Sequence, residues 1–505
     1  MCDKNKIMIG VRFLKPFDYR LLLIHIGLLG LALLFPSPLF GYIITGIILV
    51  TSYFYVKNGW LFLLVFFPLR PFLTEVNGGL LYLGDLIIIL LFFMSLIYAR
   101  PSFEHLRRNY LFSIFFILML GIGFFSGLLT GISLVAGIFQ IRAFLIMFLL
   151  IYIASAYPWE KRDIKATITV SLAVATLLSV HGLIEKISMR HWLLPETWEN
   201  WNLAAANAMR IYGLIGNPNV LATYLIIVFF MSFYLKPDMI RWYKLLPVIR
   251  IVILGAFLLT YSRGTILAFG FGFLVFLFFQ KKWRSIVPVF IYGIVAFALI
   301  YYPTVIAVDY IQEAGFFQED TEKEKPESSE LKKDTEENSS SKTKKQNNVF
   351  IERFQEMFSS ATLQSSLEWG RLYVVFKGIE IFLDHPVIGT GFATYGDSAT
   401  KSYPSPIYEE YGVPDNLYTD NQYIEILVET GVIGTVLFLT FLVFLIWKLF
   451  RYPPSLVRNL GLAMTAVMLV AGLFYNILED KTFTLYYYLL IGYIISINSH
   501  KKLET

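Results

Sequence analysis

LPVIRIVILGAFLLTYSRGTILAFGFGFLVFLFFQ, residues 246–280, is two apolar runs parted by a short turn, Thr260-Tyr261-Ser262-Arg263-Gly264. Each arm, 246–261 and 264–280, approaches the roughly 20 apolar residues that a helix needs to cross a hydrocarbon core. Two such arms with a tight polar turn between them read as a helical hairpin that enters a membrane and returns. The pattern repeats outward in both directions. Upstream, apolar runs lie near 20–36, 39–56, 60–73, 80–98, 110–130, 135–156, 165–184 and 218–235; downstream they lie near 286–307, 424–448, 458–475 and 481–497. With the hairpin this makes about fourteen spans. The run at 60–73 is the weakest, being short and carrying Pro68, and is expected to be re-entrant or broken, so twelve or thirteen spans also fit. Of the 505 residues, 56% are hydrophobic and only 16% charged. A soluble fold of this size could not hide that much apolar surface, whereas a bilayer can. The expected fold class is all-α, a polytopic membrane helix bundle.

Charge placement orients the bundle. Lys4, Lys6, Arg12, Lys15 and Arg20 precede the first span, and basic loops concentrate on the cytoplasmic side. Starting inside, alternate loops carry Arg100, Arg107 and Arg108; Lys161, Arg162 and Lys165; Lys236, Arg241 and Lys244; Lys281, Lys282 and Arg284; Lys448, Arg451 and Arg458; and Lys501 with Lys502. Every short basic loop falls on one side, with both termini cytoplasmic. The polar, basic start followed by an apolar run reads as a retained signal anchor. A net charge of +5 spread over short loops gives no nucleic-acid footprint. The single cysteine, Cys2, excludes an internal disulfide.

Two loops on the outer side are long. One, about 185–217, holds Trp192, Trp198 and Trp201, which suit the headgroup region. The other, about 308–422, begins with a Glu/Lys/Ser-rich run at 317–348 whose composition predicts disorder. Beyond it Leu367, Val374, Val375, Phe376, Ile379, Phe382 and Leu383 mark an amphipathic helix, ended by His385-Pro386, that should lie on the membrane or cap the bundle. The chain thus divides into N-terminal spans (1–200), a central core (201–307), the large outer loop (308–422) and C-terminal spans (423–505).

Polar groups converge on the outer face. Arg142 lies about two turns inside its span, Arg210 ends the first long loop, Arg263 sits in the hairpin turn, and Arg371 opens the surface helix. Asp420 and Asn421 precede the next span. Arginines at membrane depth are costly unless paired or wetted, and the planar guanidinium fork matches phosphate. Arginines near helix ends also snorkel to headgroups, which is the plainer account of Arg142 and Arg371. Arg263 lies on the outer side, against the usual bias. In Arg210-Ile-Tyr-Gly-Leu-Ile-Gly-Asn-Pro-Asn219, Asn217 or Asn219 can cap the following helix, whose N-terminus also favours an anion. Asn421, Glu425 and Glu429 share a helix face, and the carboxylates are expected to pair with nearby arginines. His385-Pro-Val-Ile-Gly-Thr-Gly-Phe392 lacks the ending of a phosphate-binding loop, so Gly389 and Gly391 read as turn residues. The six histidines are scattered, and no metal site or cofactor motif is visible.

Four ordered segments resemble the O-antigen ligase and polymerase family of bacterial envelope proteins: Arg210-x-x-Gly213 with Asn217-Pro-Asn219; Thr260-x-Ser262-Arg263-Gly264; Gly370-Arg371 followed by His385-Pro386-x-x-Gly389-x-Gly391; and Asp420-Asn421-x-Tyr423 followed by Glu429-x-Gly431-x-x-Gly434. The similarity spans roughly 200 to 445. It implies a fold like that of other lipid-linked-sugar transferases. It also implies transfer of a glycan from undecaprenyl pyrophosphate to an acceptor hydroxyl on the outer leaflet, with no metal or cofactor. The acceptor would be a growing glycan in a polymerase or a glycolipid in a ligase. On that resemblance Arg210 and Arg263 bind the pyrophosphate, Arg142 or Arg371 assist, and Asn219 and Asn421 line the site. Where ligases carry His-Asn this chain has Asp420-Asn421, which makes Asp420 the candidate base and fits a polymerase better. His181 and His385 are alternative bases, neither of them at the position of the ligases' His-Asn pair. Two other classes remain open: a flippase or exporter of the same lipid-linked glycan, which would place charges along a path through the membrane, and a membrane scaffold.

Overall fold

The computed structural model describes residues 15–203, 205–314, 370–415 and 417–500. The expected disorder at 317–348, Leu367, Cys2 and the basic residues at 4–12, 501 and 502 lie outside them. Every element among the described residues is helical, and each apolar run forms a helix. These are α1 (Tyr19–Leu34), α2 (Pro38–Phe54), α3 (Val56–Val76), α4 (Leu83–Ala99), α5 (Phe103–Thr130), α6 (Leu134–Ala156), α7 (Lys161–Ile187), α8 (Pro218–Met231), α9 (Leu246–Leu259), α10 (Arg263–Gln280) and α11 (Ile286–Ala296). A π-helical turn, Phe297–Tyr301, carries α11 into α12 (Tyr302–Glu313). Then come α13 (Arg371–Asp384), α14 (Gln422–Arg451), α15 (Leu456–Ala471) and α16 (Lys481–His500). Among the described residues eight helices are long and apolar enough to cross a membrane.

The weakest run proves to be one of those eight. α3 continues for 21 residues through Pro68 and Pro71. Proline is tolerated in a spanning helix when neighbours satisfy the freed backbone groups, and Val56 through Pro68 are all buried among other helices. The largest packing interfaces join α6 to α16, α10 to α15 and α5 to α14, so helices from the two ends of the chain form one bundle. Phe116, Phe148 and Phe441 meet at its centre, with ring centroids 4.6 and 5.0 Å apart from Phe116. Leu23, Phe125, Leu129, Phe278 and Ile294 face outward, the apolar belt expected of a chain in lipid.

Contacts between helix ends test the count of spans. Counting puts the start of α3 on the same side as the start of α7, and Lys57 bonds Glu160 at 3.1 Å and Asp163 at 2.9 Å. It puts the end of α14 beside the start of α5, and Lys448 Nζ donates to the Arg108 carbonyl at 2.6 Å. On the opposite side Asn77 donates to the Ala32 carbonyl at 3.0 Å, and Lys481 bonds Asp85 at 2.9 Å. One miscounted span would have separated these pairs by the thickness of the bundle. The side that carries residues 386–421 is called the loop face below.

Trp192 is exposed on the loop face, but Trp198 is buried against Phe72 and Trp201 instead of standing at an interface. Its segment is tied down by Arg190, which donates to Glu185 at 2.6 Å and to the Trp198 carbonyl at 2.9 Å. α13 caps the bundle: Val374, Gly378 and Ile381 face inward, and Phe376 and Leu383 remain exposed.

Candidate functional site

The hairpin turn and the loop before α8 are built against each other. Arg210 Nε donates to the Thr260 carbonyl at 2.8 Å, and Arg210 Nη2 donates to Asn219 Oδ1 at 2.7 Å. The same Asn219 oxygen accepts from Ser262 Oγ at 2.8 Å. Asn217 is the helix cap, accepting from the Asn219 and Val220 amides at 2.9 and 3.2 Å. That leaves the Asn219 side chain free to fix the arginine. Glu185 holds the loop from beneath, accepting from the amides of Tyr212 and Gly213 at 3.0 and 2.6 Å.

These residues open onto a cavity of about 260 Å³ on the loop face, lined by Arg210, Arg263, Arg371, Asn219, Ser262 and Tyr475, with Asn207, Tyr261, Gly264, Thr265 and Phe474 completing it. Neither Arg263 nor Arg371 forms an ion pair among the described residues, and both are exposed. Burial, joined by the charges of Arg371 and Arg263, holds the Arg210 guanidinium below its ordinary range. Three cationic side chains facing one cavity are arranged for a polyvalent anion.

Asp420 stands beside this cavity with left-handed backbone, φ 45. Burial pushes its carboxyl above the ordinary aspartate range, while Arg371, Lys401 and Arg210 pull it back. Asn421 caps α14, accepting from the Tyr423 and Ile424 amides at 3.1 and 3.2 Å, and its own amide donates to Asn476 Oδ1 at 3.0 Å. Asp420 is thereby presented at the head of a fixed helix. Lys401, which sequence reasoning missed because it lies in no motif, rests over the Tyr418 ring at 3.5 Å and adds positive charge near Asp420.

The structure therefore gathers Arg210, Asn219, Arg263, Arg371 and Asp420, with Asn421 at their edge. It does not bring Arg142 to them: that side chain faces Asp85 at 3.5 Å, away from the cavity. Nor do Glu425 and Glu429 pair with arginines. Glu425 accepts from Gln422 at 3.1 Å, and Glu429 from the Tyr395 amide at 3.1 Å. They are buried in the loop's anchorage, beside Asp397 and Glu479, where the Gln422 side-chain amide and the Tyr395 backbone amide replace cations as partners. His181 is tied to the Leu193 carbonyl at 3.0 Å and braces the first loop. His385 is exposed at the far end of α13.

The glycine motifs find a structural explanation. α14 breaks at Gly431, whose φ 60 and ψ −163 suit glycine alone. The amides of Thr390 and Gly391 donate to the carbonyls of Val428 and Glu429 at 2.9 and 2.8 Å; those of Val432 and Ile433 donate to Pro386 and Val387 at 2.8 and 3.1 Å. Residues 386–391 thus repair the backbone that the break exposes, as a nonpolar surrounding demands. At Gly391 (φ 94) a side chain would collide with the backbone of Gly127. The Phe392 amide then reaches the Gly123 carbonyl at 2.8 Å.

Among the described residues no three His, Cys, Asp or Glu side chains are grouped so as to hold a metal ion. Comparison with curated proteins finds no match. Residues 248–439, which contain the hairpin turn, α13, the glycine joint and the Asp420-Asn421 corner, match the family described as O-antigen ligase.

Proposed function

We propose that this protein is a glycan polymerase of the bacterial cell membrane that transfers glycan from undecaprenyl pyrophosphate to the hydroxyl of a second glycan, with the loop face outside the cell. The observation that carries the reading is the cavity in which Arg210, Arg263 and Arg371 converge, with Asp420 beside it. Among the described residues the basic short loops lie on the opposite face, which supports a cytoplasmic position for that face.

The chemistry follows from these groups. The acceptor hydroxyl gives its proton to the Asp420 carboxylate, and its oxygen forms a bond to the anomeric carbon of the donor. The bond from that carbon to the pyrophosphate oxygen breaks, and undecaprenyl pyrophosphate leaves with the electron pair. The leaving group gains negative charge as the bond breaks, so preorganised guanidinium groups bind it more tightly in the transition state than before. Asn219 and Thr260 fix the plane of Arg210, and this preorganisation costs nothing at the moment of reaction. A carboxyl raised by burial is a better base than an ordinary aspartate. A ligase, with a glycolipid as acceptor, would use the same donor half of the site. A flippase would need charges along a path through the bundle; this cavity lies at one end of it.

Deletion of the chain from its host, with surface glycan run on a gel, tests the reading. A polymerase leaves single lipid-linked repeats and no ladder. A full ladder retained on the carrier indicates a ligase, and repeats trapped on the inner leaflet indicate a flippase; either outcome contradicts the proposal.

A further inference from the structure

Away from the cavity, the loop-face ends of four helices bring a second set of charges together: Arg70 on α3, Asp85 on α4, Arg142 on α6 and Lys481 on α16. Lys481 Nζ lies 2.9 and 3.3 Å from the two Asp85 oxygens, and Arg142 Nε lies 3.5 Å from one of them. Arg70 spends one nitrogen on the Leu81 carbonyl at 3.3 Å, and its Nε is buried with no hydrogen-bond partner. Arg142 Nε is likewise buried without a hydrogen bond, and its guanidinium lies over the rings of Phe139 and Tyr82 at 4.6 and 5.3 Å.

Three cationic side chains here share one carboxylate. Charges removed from water need opposite charges beside them, and one carboxylate among three cations leaves this arrangement short of an anion. The place from which one could come is visible. The Asp85 side chain is 5% exposed, but Arg142 and Lys481 keep 18% and 14% of theirs open, and Tyr82 is 48% exposed at the rim. An aromatic rim with arginines behind it is the usual dress of headgroup depth. The cluster is separate from the cavity, which none of Arg70, Asp85, Arg142 and Lys481 lines. Tyr475 lines the cavity and Lys481 belongs to the cluster; Asn476, Glu479 and Asp480, between them in the chain, are buried.

We propose that Arg70, Arg142 and Lys481 form a second anion site, distinct from the cavity, that takes a phosphate group carried by a membrane lipid. The phosphate has two possible sources: the headgroup of an ordinary anionic phospholipid, or the carrier of a second polyprenyl-linked glycan. The site itself stands on the charge count and does not rest on the transferase reading. Only the second source would link the two, by holding an acceptor lipid beside the donor.

The test uses the full chain in phosphatidylcholine nanodiscs, supplied with phosphatidylglycerol or with undecaprenyl phosphate, and counts bound lipids by native mass spectrometry. The expected result is one retained phosphate-bearing lipid whose occupancy survives Arg263→Ala and falls at least tenfold in Arg70→Gln/Arg142→Gln. Retention of both probes identifies a general headgroup site, and retention of undecaprenyl phosphate alone identifies a carrier site; both support the proposal. Should the double variant fail to fold, Lys481→Gln, which leaves Arg142 on Asp85, is expected to lose at least threefold. Unchanged occupancy in these variants overturns the proposal, as does loss of all retained lipid in Arg263→Ala, which would mean a single site.

Discussion

Asp420 is held in a left-handed backbone conformation at the corner where the loop enters α14, and its chemistry can be read from pH. As the proposed base it must be ionised to act, and burial raises its pKa above the ordinary value. The rate therefore falls as pH drops through that raised value, with an acid limb above the reference of about 3.9. Asp420→Asn is expected to lower kcat by about 10²–10⁴ and to remove the limb from the kcat profile; an unaltered limb would assign the proton to another group. Asn219 acts at one remove. Asn219→Ala frees Arg210 and Ser262 from their shared acceptor, and a loss on the order of tenfold in kcat with smaller change in KM is expected, because fixed orientation matters most in the transition state. A rise in KM alone would show that Arg210 only binds. The arginines and Asp420 were legible in the sequence because charge on an outer loop face stands out against apolar runs. The roles of Asn219 and Lys401 were not, since a polar residue in a loop carries no mark of what it touches. Glu425 and Glu429 misled for the same reason: helical spacing placed them on one face without showing that the Gln422 side-chain amide and the Tyr395 backbone amide waited there.

At the scale of elements, the joint between 386–391 and the break in α14 decides where the loop sits. A side chain at Gly391 meets both the Gly127 backbone and an unfavourable φ. Gly391→Ala is expected to cost at least about 2 kcal/mol, from strain and overpacking together. Limited proteolysis should then cut within 393–421 faster than in the parent chain; equal rates would show that the joint does not anchor the loop. The sequence displayed the glycines of both segments but not their pairing. Backbone hydrogen bonds between distant stretches are invisible in residue types, except where they force glycine. α3 escaped for a related reason. Two prolines in an apolar run count against a helix in water, whereas burial among neighbours supplies what they remove.

For the whole molecule, hydropathy was enough to locate the helices of a membrane bundle, because the bilayer permits few ways to satisfy a backbone. The contacts of Lys57 with Asp163 and of Lys481 with Asp85 agree with that count on both faces. The orientation can be checked by labelling. In a Cys2→Ser background, which removes the single native cysteine, Ser402→Cys on the loop face should react with a membrane-impermeant thiol reagent in intact cells. Lys282→Cys should react only after permeabilisation, and the reverse pattern would invert the bundle. What two faces and a cavity do for the cell rests on the arginines. The most direct test is transfer by the purified full chain in liposomes supplied with its lipid-linked glycan, comparing the parent with Arg263→Ala. The account predicts that the variant inserts and melts like the parent yet loses glycan transfer by about 10²–10³ or more; full activity in Arg263→Ala would contradict it.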